Sequence, residues 1–126
     1  MDATEFRKNL DEAHDLMMKE KYKEAIIILD KLKEIDKKGD FDYALTHELY
    51  QLLSNSISFY NQQIILTTLN NLASEHKSIT FDEVINIIKE TTDLEIENSI
   101  IQREIELLVL RNLFKCKIEG NMLKFE

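Results

Sequence analysis

The chain has no proline, no tryptophan, one cysteine and only two glycines in 126 residues. With glycine confined to positions 39 and 120, nothing supplies interior kinks or flexible linkers, and long helices with few breaks are expected. The single Cys116 excludes an internal disulfide framework, and the three histidines, His14, His47 and His76, lie in separate segments without metal-ligand spacing. No run of about eighteen apolar residues occurs, so no membrane span is expected. The opening MDATEFRKNLDEAHD is too charged for a secretory signal, which makes a cytoplasmic location the expectation. Cations are also scarce. Sixteen Lys and Arg against twenty-four Asp and Glu leave a net charge of -8, which on average repels a phosphate backbone. Nucleophile elbow, phosphate-cradling glycine loop and HExxH are all missing, so the expectation is a protein that is not an enzyme and uses no cofactor or metal. Cys116 reads as a small buried hydrophobe.

What is present is helical periodicity. Phe6, Leu10, Ala13 and Met17 mark one face of a helix over residues 3–19, and Tyr22, Ala25, Leu29 and Leu32 one face of another over 22–35. Only residues 19–21 separate them, so they turn back on each other as a hairpin. Lys37, Lys38 and Gly39 read as the end of the second helix, with glycine in a left-handed cap and Asp40 capping a third helix. An apparent calcium loop at Asp36 fails, because its third, sixth and twelfth positions are Lys38, Phe41 and His47. Between Tyr43 and Ser74 the only formal charge is Glu48, and this stretch reads as helices over 41–59 and 62–75, broken near Tyr60 and Asn61.

The last third reads as helix, helix and hairpin. Thr80 and Glu83 form a capping box, with Ile79 placed to staple onto Val84. A longer helix begins after Asp93 and runs to about Arg111. Ile101, Ile105 and Leu108 form one of its apolar stripes, and Ile96, Ile100 and Leu107 a second. Asn112 suits a left-handed cap. A primed turn at Gly120 and Asn121 sets Ile118 against Leu123 and Cys116 against Phe125, leaving Lys115, Lys117 and Lys124 on the outer face. The fold class is therefore mainly α: a helical hairpin region over 1–60 fused to a winged-helix unit over 61–126, expected to pack as one rigid body.

Two resemblances attach to these residues. Ala13, Leu16, Tyr22, Ala25 and Leu29 are similar to the packing residues of half a tetratricopeptide repeat, without that family's early tryptophan or closing proline and without a second copy. Val109 and Leu110, then Asn112, then Lys117, Ile118 and Glu119, with Cys116 in place of glycine, resemble the end of a PCI domain, found in subunits of the proteasome lid, the signalosome and a large translation initiation factor. Winged-helix adaptors of membrane-sorting complexes and winged-helix parts of ubiquitin-like ligases share the same plan. The PCI resemblance implies a non-catalytic scaffold subunit whose partners are other proteins, PCI-like or ubiquitin-system subunits among them. It also implies that the edge strand over residues 122–125 pairs with a neighbour, which offers a route to a homo-oligomer. The expected partner surface is Lys115, Lys117, Met122 and Lys124 on the wing, with Met18 and Ile27 as a second patch. The alternative is a DNA-binding regulator contacting phosphates through Arg103, Lys115, Lys117 and Lys124. Against it stand Glu95 and Glu97, at the start of the would-be recognition helix, where carboxylates meet phosphates first.

Overall fold

A computed structural model describes all 126 residues as five helices and a three-stranded sheet, grouped into two compact units, Met1–Tyr60 and Asn61–Glu126. In the first unit α1 (Ala3–Met18) starts at Asp2, whose carboxylate accepts from the Glu5 N–H at 2.8 Å. It ends in a Schellman motif: Lys21 N–H donates to Leu16 O at 2.9 Å and Glu20 N–H to Met17 O at 3.0 Å. Glu20 occupies the left-handed position at φ 60°, where glycine is usual. α2 (Tyr22–Lys38) then folds back on α1, as the short separation predicts.

Gly39 departs from expectation. Its φ is -105° and its ψ -179°, so the backbone is extended, not left-handed. A Cβ there would lie 2.5 Å from the Phe41 ring, and that ring packs tilted on Phe6 at a centroid distance of 4.4 Å. Glycine therefore provides room for an aromatic pair, not a positive φ. The third helix is capped by Asp42, not Asp40: Leu45 N–H donates to Asp42 Oδ1 at 3.0 Å.

α3 spans Tyr43–Glu75 without the expected break at Tyr60 and Asn61. Its buried positions explain why a break is suggested. Leu45, Leu49, Leu52, Leu53 and Ser56 are buried in the first unit, while Asn61, Gln62, Ile65, Leu69 and Leu72 are buried in the second. At 100° per residue the second set is out of phase with the first, so no single stripe runs the length of the helix. With no proline or glycine to stop it, the backbone continues through the change of face.

In the second unit the Thr80 half of the capping box forms, and the Glu83 carboxylate accepts from the Thr80 hydroxyl, not from its backbone N–H. Thr80 Oγ1 accepts from Glu83 N–H at 3.1 Å and donates to Glu83 Oε1 at 3.2 Å, starting α4 (Phe81–Thr91). The residues before it also form a strand, β1 (Ser78–Thr80), which the sequence pattern does not announce. α5 (Asn98–Leu110) begins later than expected, at Glu97 as a cap without a side-chain bond, because Thr92 Oγ1 accepts from Leu94 N–H at 3.3 Å and holds the chain in a turn. It ends in a second Schellman motif. Leu113 N–H donates to Leu108 O at 2.9 Å, Asn112 N–H donates to Val109 O at 3.1 Å, and Asn112 has φ 59°, as its identity predicts. β2 (Cys116–Glu119) and β3 (Met122–Phe125) pair in the expected register, Ile118 with Leu123 and Cys116 with Phe125. Gly120 at φ 61° followed by Asn121 at negative φ is the pattern of a II′ turn.

Helix, strand, two helices and a hairpin, with sheet order β1-β3-β2, make the second unit a winged helix. Its core is Ile65, Leu69, Val84, Ile88, Ile101, Ile105, Leu108 and Leu123, each buried. The first stripe of α5 is thus fully buried, and Ile96, Ile100 and Leu107 are half-buried. No helix is long and apolar enough to cross a membrane.

Candidate protein-interaction site

The wing is built from a four-residue strand on each side of a tight turn, so alternation alone fixes which side chains face out. Lys117 and Lys124 are directly opposite on the exposed face, and Glu119 lies two residues from Lys117 and diagonal to Lys124. Its carboxylate reaches both, Oε1 at 3.2 Å from Lys117 Nζ and Oε2 at 2.5 Å from Lys124 Nζ. Hydrogen bonds from Lys124 and then Lys117 hold the Glu119 carboxyl below its ordinary value. The two cations that would meet a phosphate are therefore engaged by one carboxylate. Lys115, just before β2, is exposed. Arg103 is largely exposed on α5, 3.9 Å from Glu104 Oε1.

The expected edge is on the wrong strand. β3 is the central strand, covered on one side by β2 and on the other by β1, and Phe125 N–H donates to Lys77 O at 3.0 Å. Met122 is half-buried within it. The sheet's edges are β1 and β2, so of the two wing strands it is β2 that has an open side. Because Phe125 turns its N–H toward β1, Met122 and Lys124 exchange their bonds with Glu119 and Lys117, and alternation leaves the backbone groups of Cys116 and Ile118 pointing outward. The error traces to Ser78, Ile79 and Thr80, three residues whose capping role hides their strand role.

Cys116 is half-buried, and burial pushes its thiol up, so it stays protonated and unreactive near neutral pH. The second expected patch is exposed in the first unit, Met18 at 73% and Ile27 at 52%. Met18 lines a shallow depression with His14, Met17, Glu20, Tyr22 and Phe59, where the Tyr22 and Phe59 rings stack at 5.5 Å. Ile27 is not among its lining residues.

Sequence reasoning also misses a buried polar pair. Glu104 is 3% exposed on the apolar stripe of α5, between Ile101 and Ile105, and its Oε2 accepts from Gln62 Nε2 of α3 at 2.7 Å. The available signal is a glutamate falling on an otherwise apolar i, i+3, i+4, i+7 stripe. The class these features define is a helical protein with a C-terminal winged helix whose wing presents an edge strand. No protein-family model, curated protein or solved structure matches the chain.

Proposed function

We propose that the protein is a non-catalytic interaction module of PCI or winged-helix type, a scaffold or adaptor that docks another protein on its wing. The observation that carries this reading is the engagement of Lys117 and Lys124 by Glu119 beside an uncovered β2 edge. A carboxylate set between two lysines opposes a phosphate, whereas outward N–H and C=O groups at Cys116 and Ile118 suit an added strand. Exposed Glu95 and Glu97 at the start of α5 act in the same direction. Lys115, exposed beside β2 and outside the Glu119 cluster, then favours an added strand that carries acidic side chains.

The test uses Cys116→Pro, which removes an outward N–H and leaves the β2–β3 ladder intact. A protein partner recovered with the unaltered chain should slow amide exchange at Cys116 and Ile118, and the variant should lose that partner while keeping its melting temperature. Tight binding of a duplex DNA library, falling steeply with salt, would refute the reading in favour of the DNA-binding alternative.

A further inference from the structure

The depression between the α1–α2 turn and the middle of α3 has a composition that selects a ligand. It holds about 300 Å³, room for one side chain, and all of its lining residues belong to the first unit. Tyr22 and Phe59 stack there at 5.5 Å with 29° between their planes, so each ring uses one face on the other and keeps a second. Phe59 is 40% exposed, and Met17 and Met18 add polarizable, adaptable walls. Glu20 is the only carboxylate in the lining, and no lysine or arginine is, although Lys19, Lys21 and Lys23 are close in sequence. Burial and then the Glu20 charge push the Tyr22 hydroxyl up, so the negative potential of Glu20 is felt at the ring. Glu20 also stands at φ 60°, a left-handed position that strains a glutamate and not a glycine. Its carboxylate forms no ion pair within the first unit. A strained residue that presents an unengaged charge beside two aromatic rings is the kind of outlier that marks a binding site.

We propose that this depression takes an arginine side chain from a basic segment of a partner protein, with the guanidinium on the Tyr22–Phe59 stack and Glu20 as its counter-ion. Charge selects the occupant. The faces of aromatic rings attract cations, and the carboxylate adds to the same field. An anionic group is opposed by both, and an apolar side chain gains nothing from Glu20. Shape selects arginine among cations. A guanidinium is planar, weakly hydrated and able to stack on a ring while its edge pairs with a carboxylate, which a compact, strongly hydrated ammonium does not do. The net charge of -8 draws basic segments toward the chain as a whole. This site lies in the first unit and the wing in the second, so the two surfaces favour partners of opposite charge.

Titration of the full chain, labelled at its methionine methyl groups, with a capped Gly-Arg-Gly peptide tests this. The expected result is saturating shifts of the Met17 and Met18 signals in the millimolar range, with Met122 of the wing unmoved, and weaker binding as salt is added. The same peptide with citrulline in place of arginine, planar but uncharged, should bind at least about fivefold more weakly. Glu20→Gln removes the charge, and Phe59→Leu keeps the apolar volume while removing a ring face. Each should weaken arginine binding by about threefold or more. Glu20 is exposed, so a loss in Glu20→Gln with an unchanged melting temperature is not a folding defect. Cys116→Pro should bind the peptide as the unaltered chain does, which keeps failure of this site and failure of the wing reading apart. Met17 and Met18 signals that do not move, citrulline binding of equal strength, or a Glu20→Gln protein that binds unchanged overturns the proposal.

Discussion

Replacing Gln62 by leucine should destabilise the second unit far more than the loss of one amide suggests. Gln62 is 5% exposed and Glu104 is 3% exposed, and their hydrogen bond is 2.7 Å long. A hydrogen bond to a charged group contributes about 1.5–3 kcal/mol. The cost rises because the donor is lost to a carboxyl group that is only 3% exposed. The exposed guanidinium of Arg103, 3.9 Å from the other oxygen, compensates little. We expect Gln62→Leu to cost about 2–3 kcal/mol. For a unit of this size that is a fall in melting temperature of about 8–24 °C. Glu104→Leu alone strands the Gln62 amide and should cost about 1–3 kcal/mol. The double variant, which removes both polar groups from an otherwise apolar stripe, should be close to the original or better. Thermal melts of all four proteins, with amide exchange in α5 to assign the transition to the second unit, give the coupling. Strictly additive effects, or a Gln62→Leu protein that melts unchanged, would refute the account of the Gln62–Glu104 bond as a stabilising buried contact.

Four further outcomes are expected. Glu20→Gly should raise the melting temperature of the first unit, since it removes left-handed strain of about 1–2 kcal/mol and returns part of it as chain entropy, for a net gain of about 0.5–1 kcal/mol. Gly39→Ala should destabilise the first unit by about 1–3 kcal/mol, read in a urea melt, because the new methyl group meets the Phe41 ring held against Phe6. Ser56→Ala should stabilise by about 1 kcal/mol in the same assay, since Ser56 Oγ is buried without a hydrogen-bond partner. For Glu119, whose carboxyl is held down by Lys124 and Lys117, the contribution to wing stability is present above the ordinary glutamate value and is lost as pH falls through the lowered one. Carbon-detected titration should show Glu119 protonating below the ordinary glutamate value, and Lys124→Ala should move it back up.

Local signals in the sequence are reliable where one residue has one role. The capping box at Thr80 and Glu83, the left-handed Asn112 and the register of the final hairpin all arise from the chemistry of the residues involved. Reading fails where a residue has two. Ser78, Ile79 and Thr80 cap a helix and form an edge strand, and three residues are too few for alternation to announce a strand. Tyr60 and Asn61 look like a break because asparagine favours turns, yet the helix runs through them; Asn61 and the next residue, Gln62, are both buried, and Gln62 is tied to a glutamate 42 positions away. Nothing local encodes that partner. The short β1 then has a large consequence: by covering β3 it moves the free edge of the wing to β2.

The site itself turns on Glu119, and its role is readable once the register is known. Residues 117 and 119 share a face by parity, and Lys124 lies opposite Lys117, so Glu119 is the diagonal neighbour of Lys124. A neutral residue at 119 would leave two opposed lysines repelling each other on an exposed ribbon, a pair that a phosphate could neutralise. The carboxylate does so from within, and both of its oxygens are used. Lysine counts on the wing therefore overstate its net positive charge. What the closed triad leaves available to a partner is the part of the wing that carries no formal charge, the outward backbone of Cys116 and Ile118.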